Sequence, residues 1–245
     1  MAFATGVTSV SGLQKGMLLG FFAACLVMAA GLPFRQADAA DCRADPEPEV
    51  DWSACSKKNL MLGGSNFTGA NFRDADLSYT DMRETNLTAA VLEKATMIRT
   101  WFTGARMEKA NFARVEAYRS SFQKVVAKGA SFASAELQRA AFDGADLSYA
   151  SFEKADLSRA SFDETVLSGA SFAYANLSRA DLSKASVAGT IGLDRAFMLL
   201  TRIEGLDLSR ATGLDQSQID MACGDAKTRL PEGLAAPASW PCPRD

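Results

Sequence analysis

Residues 129–187 read GASFASAELQRAAFDGADLSYASFEKADLSRASFDETVLSGASFAYANLSRADLSKASV, and one pattern runs through all of them. A bulky apolar residue returns at every fifth position: Phe132, Leu137, Phe142, Leu147, Phe152, Leu157, Phe162, Leu167, Phe172, Leu177, Leu182 and Val187. Two positions before each stands a small residue, alanine in every case but Thr165. A period of five suits neither regular element. Five residues of α-helix turn through about 500°, so successive bulky side chains would smear around the axis. On one continuous strand an odd spacing throws alternate bulky residues onto opposite faces. Within a unit, however, the small and the bulky residue are two apart and share one face of a short extended piece. The chain must therefore turn once per unit, resetting the inward face each time. The expectation is a coil with flat sides, two residues inward and three outward on each.

The number of sides also follows from spacing. Phenylalanine and leucine alternate from Phe132 to Leu177, which demands an even number of sides per coil. Arg99, Arg119, Arg139, Arg159 and Arg179 recur every twenty residues, which selects four. The fold class expected is all-β.

Ala145-Asp146-Leu147-Ser148-Tyr149, Ala155-Asp156-Leu157-Ser158-Arg159 and Ala175-Asn176-Leu177-Ser178-Arg179 follow the consensus A-(D/N)-L-x-x. In these units the sequence resembles the pentapeptide-repeat family, and the register holds over dozens of residues. The resemblance implies a right-handed quadrilateral β-helix of about twenty residues per coil. It implies little about activity, because the family's members are functionally diverse and a fold alone licenses no function.

The five-residue register begins by Leu62 and runs unbroken to Val187. It then slips by one residue around Gly189–Gly192 and resumes at Leu193, Met198, Ile203 and Leu208, most simply through a bulge. About seven coils are expected, roughly 35 Å of height at the usual strand spacing. Ala117 and Ala127 are small where a bulky residue is usual, but Val115 and Val125 stand two positions before them. That exchange conserves core volume, so packing rather than a pocket is expected there. Phe102, Phe122, Phe142 and Phe162 should stack in one column, and Phe112, Phe132, Phe152 and Phe172 in another.

Residues 1–39 read as a signal peptide: Lys15, an apolar run from Met17 to Leu32, and Ala37-Asp38-Ala39 as an A-x-A cleavage signal. The run falls short of the ~20 residues a spanning helix needs. A periplasmic or secreted protein is expected, with membrane contact only through an uncleaved leader. Without the leader the chain carries 24 basic and 28 acidic residues, a net charge of −4. Four of its cysteines then remain, Cys42, Cys55, Cys223 and Cys242. In an exported chain these argue for disulfides, and their two local clusters favour Cys42–Cys55 and Cys223–Cys242 over the other two connectivities. Residues 40–61 show no repeat and read as an N-terminal cap, 62–213 as the repeat body, and 214–245 as a C-terminal cap. That last segment holds a short helix over Asp215–Ala222, with Asp215 as N-cap and Gly224 just past its end, then a proline-rich tail.

The chemistry is as informative as the fold. Histidine is absent from the chain, so Ser/His and Cys/His nucleophile pairs are excluded. No phosphate-cradling glycine loop occurs, no cysteine pair has zinc-knuckle spacing, and no cofactor or metal is expected. A non-catalytic scaffold for protein–protein interaction is the function expected. The residues that the core does not require are the arginine column, with Tyr118 and Trp101 beside it. Two readings of that column stay open. Either Glu116, Glu136 and Asp156, three residues before an arginine, pair with it in a solvated ladder; or it is a stripe for an acidic partner or a polyanion such as polysaccharide, lipopolysaccharide or phospholipid head groups. Between Val91 and Ala130 the net charge is +5, which suits the second. Mimicry of duplex DNA towards a topoisomerase, known in the family, needs a strongly negative surface, and no nucleic acid partner is expected. Phe197, Leu199 and Leu200 follow the slip and are candidates for docking the tail or for a homodimer contact.

Overall fold

The computed structural model describes residues 40–243, and the expected leader over residues 1–39 lies outside them. One five-residue rhythm fills most of it: a bridging residue, an inward bulky residue, two turn residues and an inward small residue. From Asp51 to Val166 each bridging residue pairs in parallel with the residue twenty positions on, as in Thr96↔Glu116↔Glu136↔Asp156. The chain thus returns beside itself after four units. The result is a β-helix of the solenoid type, built from single-residue bridges rather than long strands.

Each letter of the repeat has a physical task. The bulky residue fills the core and its carbonyl accepts the N–H of the small residue three on, as Phe67 O does from Ala70 at 3.0 Å. The second turn residue, Gly69, has φ of 68°, the left-handed value a type II turn requires. The Asp or Asn at the bridge closes the same turn from outside. Asp146 Oδ1 accepts the Ser148 N–H at 3.1 Å and the Ser148 hydroxyl at 2.6 Å. Asp181 with Ser183 and Asp207 with Ser209 repeat the arrangement. Such local bonds are what suit Asp, Asn and Ser to turns.

The core is two interlocked phenylalanine columns. Phe102–Phe122–Phe142–Phe162 and Phe112–Phe132–Phe152–Phe172 stack at 4.9–5.2 Å with interplanar angles of 4–12°. Neighbouring columns meet edge to face at 5.6–6.3 Å. Both geometries are favourable for aromatic quadrupoles. Val115 with Ala117 and Val125 with Ala127 are fully buried, as the volume exchange predicted. Threonine at a small inward position ties one coil to the previous one: Thr100 Oγ1 donates to Leu77 O at 2.8 Å.

The ends differ in part from expectation. Parallel bridges begin at Asp51, well inside the segment expected to be cap. The repeat was hidden because Trp52 and Lys57 hold the bulky inward positions and Cys55 a small one. Lys57 lies against the Trp52 ring, its Nζ 3.3 Å from the ring centroid, and donates to Cys42 O at 2.9 Å. Stem and ring thus replace a leucine at the open end of the core. Beyond Val166↔Ser186 the bridge offset changes from twenty to twenty-one at Ser171↔Gly192, so the slip is one inserted residue.

At the other end α1 spans Gln216–Met221, with Asp215 as N-cap in a capping box with Gln218. Gln218 Nε2 donates to Leu193 O at 2.7 Å and Ala196 O at 2.9 Å, fastening α1 to the last coil. Gly224 is not the left-handed cap expected, since the helix already ends at an extended Ala222. Its role is space: a Cβ on Gly224 would overlap the Trp240 ring. Trp240 Nε1 donates to Ala222 O at 2.7 Å, and disulfides join Cys42 to Cys55 and Cys223 to Cys242.

Candidate functional site

Arg99, Arg119, Arg139, Arg159 and Arg179 each occupy the second turn position, with φ between 54° and 60°. Their N–H groups donate to the carbonyls of Tyr118, Gln138, Ser158, Ser178 and Leu199 in the next coil, at 2.9–3.1 Å. The corner is therefore stacked coil on coil, at the step of about 5 Å seen in the ring columns of the units on either side of it. All five side chains are exposed.

Of the two readings, the pairing with Glu116, Glu136 and Asp156 is not found among the described residues. Among the described residues Arg73, Arg83, Arg106, Arg114, Arg202 and Arg229 each find a carboxylate. The five of the column find none, and neither do the scattered Arg43, Arg195 and Arg210. Asp156 is already occupied, accepting from Ser158 N, Gln138 Nε2 and Asn176 Nδ2. Glu116 and Glu136 are exposed at the bridge position and join no ion pair among the described residues. The acidic and basic columns thus run up the coil three residues apart without touching.

The apolar residues named from the sequence border this corner. Arg119 lies over the Tyr118 ring, 5.2 Å from its centroid. Trp101, 47% exposed, bridges Asp81 and Ser121 in the unit that follows the corner. Tyr79 occupies the same corner one coil before Arg99, with φ of 60°, and was missed although the spacing of twenty marks it. Phe197 and Leu199 remain 47% and 42% exposed, so the tail does not cover them. Leu200 instead lines a cleft of about 520 Å³ with Arg179, Arg202, Met221 and Cys242.

Carboxylates with shifted affinity for protons belong to the turns. Burial pushes Asp146 up, but the Ser148 hydroxyl, the Lys128 ammonium and the Ser148 N–H outweigh it and leave the group below its usual range. At Asp81 the hydrogen bond from Arg83 is the largest influence and acts downwards. Groups held ionised in this way serve structure rather than proton transfer.

Residues 95–172 match the family model described as a pentapeptide repeat region, and residues 59–88 that of pentapeptide repeats in eight copies. No functionally curated protein matches the sequence significantly. Among solved structures the fold is similar to HetL, a protein involved in heterocyst differentiation regulation from the cyanobacterium Nostoc. The TM-score is 0.62 with 22% identity, over 76% of this chain and 91% of that one. It is also similar to a trypsin-treated form of QnrB1, a plasmid-mediated fluoroquinolone resistance protein, with TM-score 0.51 and 20% identity, over 72% of this chain and 90% of that one. At such identities the likeness is one of fold.

Proposed function

Because this chain is a pentapeptide-repeat protein, we propose that it is a non-catalytic exported scaffold whose arginine corner engages another protein. The coil is read as right-handed and four-sided, with about seven turns, and the residence as periplasmic or secreted. The observation that carries the reading is the contrast among the arginines. Six others find carboxylates; Arg43, Arg195 and Arg210 do not, but they stand apart, whereas the five stacked at one corner form a continuous row without an ion pair among the described residues. A row of unpaired like charges at about 5 Å repels itself and gains by meeting the opposite sign. Tyrosine and tryptophan beside arginine are also the residues that dominate protein interfaces.

Affinity capture from an envelope extract tests this. Wild-type protein should retain a partner that the double variant Arg119→Ala plus Arg139→Ala loses; retention unchanged by the substitutions would rule the surface out. The basic middle of the coil favours a second reading, a polyanion ligand. Salt-sensitive retention on heparin, lost in the same variant, would support that reading instead. Fractionation of a tagged chain tests export.

A further inference from the structure

We propose that the arginine corner and the carboxylate column beside it form a self-complementary surface that pairs with a second copy of this chain. The two coils would lie side by side and point the same way. The inference rests on reading this corner as an interaction surface and names its first occupant. Thr96, Glu116, Glu136, Asp156 and Asn176 are successive bridge partners, and an arginine follows each of them by three residues. Glu116 and Glu136, like the arginines, join no ion pair among the described residues. A purely acidic partner drawn by the arginines would meet these carboxylates as well, and a purely basic one would meet the arginines. The occupant that satisfies both columns must carry both signs side by side, repeated at the same step of about 5 Å. A second copy does so in the three coils that carry Glu116, Glu136 and Asp156.

Symmetry selects the arrangement. A half-turn about a line parallel to the coil axis exchanges left and right but preserves height. Arg119 of one copy then faces Glu116 of the other, Arg139 faces Glu136, and Arg159 faces Asp156. The interface is isologous, so each pair occurs twice. Reversing one coil end for end sets arginine against arginine and is opposed by like-charge repulsion. Two exposed residues with apolar surface lie along the same face: Tyr118 between the two columns low in the row, and Leu199 one coil above its end. The parallel arrangement brings each against its own counterpart. Single exposed ion pairs contribute little, but a shared period engages all of them in one register.

Sedimentation equilibrium of the full chain with its disulfides intact tests this. At low salt the weight-average mass should climb with concentration towards twice the monomer, and fall back to the monomer in about 1 M NaCl. Arg119→Glu plus Arg139→Glu should weaken association by about tenfold or more, and so should Glu116→Arg plus Glu136→Arg. Mixed in equal amounts, the two variants should recover the dimer as a heterodimer, because their columns now match in sign. Far-ultraviolet circular dichroism and thermal melts confirm that each variant is folded. A wild type that stays monomeric, a dimer indifferent to both reversals, or a mixture that fails to recombine overturns the proposal. A monomeric wild type that still captures a different protein through Arg119 and Arg139 would overturn self-pairing alone and leave the scaffold reading standing.

Discussion

Non-glycine residues fill the second turn position through most of the coil, and the arginines are among them. Arg139 sits there with φ of 58°. For an L-residue with a Cβ that region costs roughly 1–2 kcal/mol, and a β-branched side chain tolerates it worst. Arg139→Val should therefore lower stability by about 1–2 kcal/mol in urea titration, while Arg139→Gly should cost little or nothing. If the two substitutions behave alike, the corner is not what limits the choice of residue. Lys57 is the second instructive residue. Burial depresses its affinity for a proton, against the pull of Asp41 and Asp45, yet it holds a core position because the Trp52 face and the Cys42 carbonyl receive it. A sequence pattern of apolar residues cannot register such a lysine, which is why the coil's start at Asp51 was not legible.

At the scale of the repeat unit, the outer carboxylate of the turn carries a pH signature. In Asp51, Asp76 and Asp146 burial acts upwards but bonds to the carboxylate prevail, and the affinity for protons ends below the ordinary value. In Asp207 the bonds from Ser209 lead and act downwards. A depressed carboxylate adds stability above its unfolded pKa, near 3.8, and loses it as pH falls through the lower folded value. Thermal midpoints should thus be level from neutrality to about pH 4 and decline steeply below it. A decline that begins near pH 6 would contradict the assignment. The C-terminal element makes a different demand. Gly224→Ala forces a methyl into the Trp240 ring, and overpacking of that kind costs about 1–3 kcal/mol. Pairing it with Trp240→Ala should recover part of the loss and expose coupling between the two sites. Sequence logic placed this glycine correctly in the chain but gave it a helix-capping role, because the contact with Trp240 spans sixteen residues of irregular tail.

Over the whole molecule, the body of the fold was legible because its contacts repeat: one period fixed the core, the stacked rings and the inserted residue. The candidate site was legible only in part. Spacing located the arginine column, but three-residue separation was a poor guide to pairing, since Asp156 had closer claimants in Ser158, Gln138 and Asn176. The two disulfides close loops of 13 and 19 residues at opposite ends of this array. Each is worth about 3 kcal/mol in the chain-entropy account, and in a solenoid that loss falls on the terminal coils first. Reduction should therefore speed hydrogen exchange near Trp52 and α1 before it reaches the stacked phenylalanines. Uniform acceleration would mean the array melts as one unit.

The offset of twenty residues also sets a grammar for change in length. A duplication of twenty residues between Thr96 and Asn176 would lengthen the arginine row by one step and leave both ends in phase. A five-residue insertion at the same place would keep every inward position inward, yet carry all later columns one unit around the coil and set phenylalanines over leucines. The row would be severed, and its upper half would emerge on the neighbouring side. An insertion that keeps the five-residue register can therefore still be ruinous for recognition, and the difference is arithmetic modulo twenty.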